Sequence, residues 1–345
     1  MKRQGLLPLV CGAIAACLGI SSASAQSVAD FYKANQLRMI VRTEPGTSYD
    51  FYSRILSAHM SAHIPGNPTI VNVNMPGGGG IVAANYVGFV APRDGTILSI
   101  IGLGLPVDQA LKLHDSFKVD LRTLGWLGSI DSTNQVLVTW HTSKIKTLAD
   151  ALQTQSLIGS TGAGSPTLQF PSFYNSFLGT KFKIVLGYKG AAEINLAMER
   201  GELDGSGSNA WEEYLIDDPQ YVRDKLIVPL IQAGLHKEPD LPNVPLLLDL
   251  AKTPEEKAAY LFLSNSVDFG HAVATTSDVP PERLAALRKA FEDTMKDPAF
   301  IADIKKGSGT VRPASAAETE TIVRQLIDTP QPVRDKVKAA FGEAG

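Results

Sequence analysis

Thr69-Ile70-Val71-Asn72-Val73-Asn74 runs directly into Met75-Pro76-Gly77-Gly78-Gly79-Gly80, and after Ile81 to Ala91 the turn Pro92-Arg93-Asp94-Gly95 leads into Thr96 to Ile101. A β-branched run, a glycine turn, a helical stretch and a second β-branched run form the order of a crossover unit with two parallel strands. The alternation extends both ways. Upstream, Leu37 to Val41 reads as a strand and Tyr49 to His63 as a helix. Downstream, Leu124 to Ser129, Gln135 to Trp140, Ser156 to Gly159, Phe182 to Leu186 and Leu226 to Gln232 read as strands. Helices are expected at Thr167 to Leu178 and Ala191 to Gly201, and Thr147 is placed to cap a short one. Beyond Gln232 the chain reads as helix-rich: Pro280-Pro281 to Lys296, a restart at Asp297-Pro298, Ala316 to Ile327 and Val333 to Phe341. The expected class is α/β, with parallel sheets and crossover helices, in two similar lobes.

The ends bound the compartment. Lys2 and Arg3 precede an apolar run from Leu6 to Ile20 that ends in Ala23-Ser24-Ala25, the pattern of a secretory signal peptide over residues 1–25. That run is shorter than the roughly 20 residues a membrane-spanning helix needs. Both cysteines, Cys11 and Cys17, lie inside it, so cleavage after Ala25 leaves none and no disulfide is expected. Ile14-Ala15-Ala16-Cys17 also loosely resembles a lipoprotein cleavage box, which would place a lipid on Cys17. Cleavage after Ala25 would leave 320 of the 345 residues, enough for two domains, and would move the formal charge from −3 to −5. The basic residues are scattered, which argues against a nucleic-acid partner.

In an open α/β sheet, ligands bind beyond the carboxyl ends of the parallel strands. Several segments at such places combine glycine with hydroxyl residues: Glu44 to Ser48, Pro76 to Gly80, Ser160 to Ser165, and Gly205-Ser206-Gly207-Ser208-Asn209. Glycine lets backbone amides approach a ligand and permits positive φ, and helix N-termini add partial positive charge, so such loops suit an anion. The expected contacts are Thr47, Ser48, Tyr49, Asp50, Gly77, Gly78, Gly79, Ser160, Thr161, Gly162, Gly164, Ser165, Tyr188, Ser208 and Asn209. Asp50 is as well suited to capping its helix as to accepting from a ligand amine or hydroxyl, and Tyr49, Phe170, Tyr188 and Trp211 are candidates for stacking on an aromatic ring.

Other chemistries fail on their residues. A phosphate-binding P-loop needs Gly-Lys-Ser/Thr, whereas Gly80 is followed by Ile81-Val82. The dinucleotide fingerprint fits Gly78 to Ala83, but no acidic residue ends the next strand, where Gly102-Leu103-Gly104 stands. No Gly-x-Ser-x-Gly elbow occurs. His59 and His63 have zinc-ligand spacing but no intervening glutamate, so a solvated helix end is expected for them, and Glu212-Glu213 is expected to face solvent. No metal and no cofactor is expected.

Together the loops resemble those of the periplasmic solute-binding proteins of tripartite tricarboxylate transporters, the Bug receptors. Pro45-Gly46-Thr47-Ser48-Tyr49-Asp50 is similar to that family's first loop, Asn74 to Gly80 to its Asn-x-Pro-Gly-x-Gly-Gly segment, and Gly159 to Ser165 to its second-domain glycine loop. Asp94-Gly95-Thr96, Gly187-Tyr188-Lys189-Gly190, Gly201-Glu202-Leu203-Asp204 and Leu241-Pro242-Asn243-Val244-Pro245 follow in the family's order. The resemblance implies a type II Venus-flytrap fold: lobe 1 over 26–128 plus 235–345, lobe 2 over 129–234, and a ligand cleft between them. It implies capture of a small organic carboxylate, di-, tri- or aromatic, in the periplasm, with inner-membrane transporter subunits as partners. A monomer without catalytic activity is expected. The alternatives are a secreted hydrolase or transferase using a loop serine, and a ligand sensor on the same fold. Thr47 stands where the family's first loop has its second glycine, Arg42 and Glu44 add charges, and Ser208 stands where many relatives have Asp.

Overall fold

The computed structural model describes residues 27–132, 134–162 and 165–342. The expected signal peptide, with Cys11 and Cys17, lies outside the described residues, as does Gly164. The strands are β1 Leu37–Val41, β2 Ile70–Asn74, β3 Ile97–Ile100, β4 Gly125–Ser129, β5 Gln135–Trp140, β6 Ser156–Gly159, β7 Phe182–Val185, β8 Gly205–Ala210, β9 Ile227–Ala233, β10 Ala272–Thr275 and β11 Ala314–Ser315. They form two sheets, ordered β11-β4-β10-β3-β1-β2 and β7-β6-β8-β5-β9.

Both sheets follow one plan. In the first, β1 pairs parallel with β2 and β3, and β10 inserts antiparallel between β3 and β4. In the second, β6 pairs parallel with β7 and β8, and β5 inserts antiparallel between β8 and β9. The sheets are therefore mixed, which corrects the expectation of purely parallel ones. The inserted strands are those made just after the chain has crossed from one sheet to the other, between β4 and β5 and again between β9 and β10. Ala272-Val273-Ala274-Thr275 is too short a run to stand out in a helix-rich stretch, and it was not foreseen as a strand.

Near-continuous apolar strands mark a sheet covered on both faces. In β1, Leu37, Met39 and Val41 pack with Tyr52, Leu56 and Met60 of the helix Ser48–His63, while Ile40 packs with Ile81, Ala84 and Val87 on the opposite face. In β5, Val136, Val138 and Trp140 share a cluster with Ile194 and Met198, while Leu137 joins Phe170, Phe173 and Tyr174. The latter cluster also takes in Tyr260, Leu326 and Val337. The helix Ala316–Ile327 packs on β4 and the helix Gln331–Gly342 on the helix Pro166–Leu178, so the C-terminal segment touches elements of both sheets.

The segment Gly205 to Asn209, expected as a ligand loop, is instead the buried strand β8. Its glycines make room for neighbouring backbone: a Cβ on Gly205 would lie 2.2 Å from the Val138 carbonyl oxygen, and one on Gly207 2.3 Å from that of Thr167. Pro171, inside the helix Pro166–Leu178, has no N–H to donate to that Thr167 carbonyl. Helix and strand meet there without a side chain between them.

Candidate functional site

A cleft of about 400 Å³ opens where the carboxyl ends of the parallel strands of the two sheets face each other. Of the expected contacts, Thr47, Ser48, Tyr49, Gly77, Gly78, Gly79, Thr161, Ser165, Tyr188, Ser208 and Asn209 line it. Asp50, Ser160 and Gly162 do not. Arg42, Glu44, Gln135, Thr167, Lys189, Glu213 and Asp217 line it as well and were not among the expected contacts.

The first wall is built around Arg42, at the end of β1. Its Nη2 donates to the Gly79 carbonyl at 2.6 Å, and its guanidinium lies 4.5 Å from the centroid of the Tyr49 ring. The glycines explain how a large cation fits there. A Cβ on Gly80 would come within 2.6 Å of the Arg42 Nε, and one on Gly102 within 2.7 Å. Gly77, Gly78, Gly79 and Gly80 all have positive φ, from 56° to 137°, a run that side-chain-bearing residues would adopt only under strain. Arg42 was visible in the sequence only as a charge added at a strand end, and the two glycines that admit it are far apart in the chain.

Thr47 caps the helix Ser48–His63. The Asp50 carboxylate turns inward, accepting from the Gly46 N–H at 2.9 Å, the Arg54 Nε at 2.7 Å and the Asn74 amide at 3.0 Å. Burial pushes its carboxyl up, but these three donors together hold it below the usual range. Asp50 thereby fixes the loop carrying Thr47 to the end of β2.

The opposite wall begins at the N-terminus of the helix Pro166–Leu178. Ser165 caps it, accepting from the Thr167 N–H at 3.1 Å, and Pro166 occupies the first helical position, where no N–H is missed. Thr161 Oγ1 donates to Ser165 Oγ at 2.7 Å, and the Thr161 N–H donates to Thr167 Oγ1 at 2.9 Å. Ser160 bonds to Thr167 from below and is fully buried. Gly162 has open space around a φ of 132°, so a valine there would strain the loop whatever the ligand does. On β8, Ser208 Oγ donates to Gln135 Oε1 at 3.0 Å and Asn209 bonds to Tyr214.

Glu212-Glu213 does not face solvent, which corrects the expectation for that pair. Glu212 is buried, and Glu213 accepts from the Ser48 hydroxyl at 2.8 Å, a bond that joins the two walls. Burial raises the Glu213 carboxyl, opposed by Ser48, His271 and Arg42. One helical turn on, burial pushes Asp217 up to about 8, with the negative fields of Glu213 and Asp218 adding to it and the Ser48 N–H opposing it. Of the proposed stacking residues, Phe170 and Trp211 belong to the core, whereas Tyr188 and Tyr49 reach the cleft. The ring of Tyr49 is already packed against Arg42 and, at 4.5 Å, His271.

His59 and His63 pair with acids on neighbouring helices: His59 Nε2 lies 2.9 Å from Asp303 and His63 Nε2 3.2 Å from Asp297. They hold the helix Pro298–Lys306 rather than a solvated end. Among the described residues no cluster suits a metal ion, and no helix is long and apolar enough to cross a membrane.

No family model matches the chain, and no curated protein does. Solved structures do. An R. palustris protein solved with adipate is 18% identical, with a TM-score of 0.68 over 88% of this chain and 97% of its own. The periplasmic binding protein BugD is 17% identical, with a TM-score of 0.69 over 88% and 97%. MatC from Rhodopseudomonas palustris, with bound malate, is 17% identical, with a TM-score of 0.68 over 88% and 98%. Likeness at such identity is likeness of fold: this chain has the two-lobed α/β fold of the periplasmic binding proteins.

Proposed function

We propose that the chain is a periplasmic solute-binding protein that captures a small organic carboxylate and delivers it to inner-membrane subunits of a tripartite tricarboxylate-type transporter. One observation carries the capture: Arg42 and the positive-φ glycine turn on one wall face the hydroxyl-lined start of a 13-residue helix on the other, across about 400 Å³. That volume suits a small molecule, and both walls favour an anion. Solved proteins of this fold hold adipate and malate. The transporter rests on the loop resemblance alone. Capture is favoured over turnover because the cleft serines pair with Glu213, Gln135 and other hydroxyls, whereas serine nucleophiles of the usual type need an imidazole base.

The proposed contacts are Thr47, Ser48, Tyr49, Gly77, Gly78, Gly79, Thr161, Ser165, Tyr188, Ser208 and Asn209, with Arg42 added as the charged anchor. The test is a thermal-shift screen of the purified protein against di-, tri- and aromatic carboxylates, followed by calorimetry. A ligand at 100 times its Kd should stabilise the fold by about 2.7 kcal/mol and be recovered intact. Consumption of the ligand would overturn the proposal, as would a full carboxylate panel without a shift.

A further inference from the structure

We propose that Glu212 and Asp131 hold one proton between them where the chain passes from one sheet to the other, and that opening the cleft releases this proton and closing takes it up. The device acts on the cleft described above, but it stands on the crossing and needs no ligand.

The cluster is assembled from parts of both halves. Glu212 comes from the helix Trp211–Ile216, which continues β8 of the second sheet. Tyr52 comes from the helix Ser48–His63, packed on the first sheet, and Thr310 from the segment that leads into β11 of that sheet. Asp131 lies on the crossing from β4 to β5, and His271 ends the crossing from β9 to β10. The ionisable members are all buried: Tyr52 is 0% exposed, Asp131 1%, Glu212 2% and His271 5%. A turn of one sheet against the other therefore parts Glu212 from Tyr52 and Thr310 and lets water reach its carboxyl.

The hydrogen bonds leave one place for a proton. Asp131 Oδ1 accepts from the His271 N–H at 3.1 Å and lies 2.8 Å from its Nδ1. The Tyr52 hydroxyl is spent on Thr310, donating to its carbonyl at 3.1 Å and accepting from its N–H at 3.0 Å. The Glu212 carboxyl faces Asp131, Tyr52 and Thr310, and both its oxygens, like Asp131 Oδ2, have no partner among the described residues. Of those three neighbours only Thr310 keeps an unspent hydroxyl. Two carboxyl groups sharing so dry a site do not both ionise. A proton on Glu212 donates to Asp131 Oδ2 and satisfies both groups. The other charged and titratable groups stand further off. Glu213 and Tyr49 act on His271 from the cleft side, with Arg42 beyond Tyr49, and Arg312 is engaged by the Ser132 carbonyl and Glu238.

The sign follows from the burial. Closed, the cluster keeps the proton; open, the hydrated Glu212 carboxyl gives it to water at any pH above the ordinary carboxyl range. Closing therefore becomes less favourable as pH rises, by up to about ten-fold for each pH unit while only the closed form is protonated.

The experiment measures the separation between spin labels at Val90→Cys and Lys183→Cys, exposed positions on the first and second sheets' sides, in the purified ligand-free protein from pH 6 to 9. The ratio of closed to open molecules should fall at least ten-fold across that range, and the fall should persist in Asp217→Asn, which removes the raised carboxyl of the cleft itself. Glu212→Gln, whose amide donates to Asp131 at every pH, should abolish it. A ratio that does not change with pH, or a fall that survives Glu212→Gln, overturns the proposal. Should Glu212→Gln fail to fold, Asp131→Asn decides: without the negative neighbour the fall should move to lower pH, and an unmoved fall overturns the proposal. Because no ligand is present, the outcome is separate from that of the carboxylate screen.

Discussion

Replacing Gly207 by alanine separates two roles that glycine can have in such a chain. Were the glycines of Gly205 to Asn209 there to admit a ligand, a methyl group at Gly207 would cost affinity and little stability. The structure gives the opposite ranking. The new Cβ would sit 2.3 Å from the Thr167 carbonyl oxygen and 2.8 Å from the Pro171 ring, and neither backbone nor proline ring can swing aside. Gly207 has ordinary backbone angles, so alanine would by itself gain roughly 0.5–1 kcal/mol from reduced chain entropy. Overpacking of a tight interior costs about 1–3 kcal/mol, and with two rigid neighbours the upper end applies. The net loss should be about 2–2.5 kcal/mol, read as a lower urea midpoint with unchanged slope and, at about 2–4 °C per kcal/mol, a melting temperature several degrees lower. Gly190→Ala is the control, since it lines the cleft with nothing within 4 Å of its Cβ and an extended φ; the same entropy gain is set there against the loss of a glycine N-cap, so the midpoint should not fall by more than a few tenths of a kcal/mol. A Gly207→Ala protein as stable as the parent would refute the packing account of β8.

Further consequences follow from the charged groups. Arg42→Met should keep the fold and weaken carboxylate binding by about ten- to a hundred-fold in calorimetry, the value of a charge-assisted hydrogen bond of roughly 1.5–3 kcal/mol; undiminished affinity would remove Arg42 from the site. Arg42→Lys should not restore it, because an ammonium cannot reproduce the planar fork that spans the Gly79 carbonyl and the Tyr49 face. Asp217 has a pKa of about 8 in the folded state against 3.8 as a free side chain, so between those values the native state binds the extra proton and stability falls as pH rises. Asp217→Asn should therefore flatten the fall in melting temperature of the ligand-free protein between about pH 4 and 8; an unaltered profile would show that Glu213, Asp218 and burial do not hold that proton.

The layer order was legible because strands covered on both faces are apolar throughout: β1, β5 and β6 lie where their sequence places them, whereas the helices expected from Tyr49 and Thr167 begin one residue earlier and are capped by Thr47 and Ser165, with Asp50 turned to the Gly46 N–H, Arg54 and Asn74 instead. β8 was not legible, since Gly-Ser-Gly-Ser-Asn has loop composition and becomes a strand only because Val138, Ile158 and a proline-bearing helix press on it. β10 depends on pairing with strands more than a hundred residues away. In the cleft, hydroxyl and glycine residues announce themselves by type, so most of those that line it were among the expected contacts. The charged residues of the lining were not among them, for a different reason. A charge at a strand end or in a helix reads as a solvated residue until tertiary structure shows what lies over it.

Glu212-Glu213 makes the point in detail. Successive helical residues point about 100° apart, so an adjacent pair cannot share one surroundings. Because the helix Trp211–Ile216 starts directly from the last residue of β8, deep between the sheets, both directions lead inward. Glu213 turns to the cleft and meets Ser48 of the opposite wall. Glu212 turns to the crossing between β4 and β5, where burial and the nearby Asp131 push its carboxyl well up, while burial raises the Asp131 carboxyl and its contact with His271 Nδ1 at 2.8 Å helps hold it low. His271 in turn stacks on Tyr52 and packs against Tyr49, whose other neighbour is Arg42. The acidic pair, the chain crossing and the Arg42 wall of the cleft are consequently joined through contacts between successive groups. Arg42 also opposes the burial that raises the Glu213 carboxyl, so a change of charge at Arg42 acts on Glu213 directly.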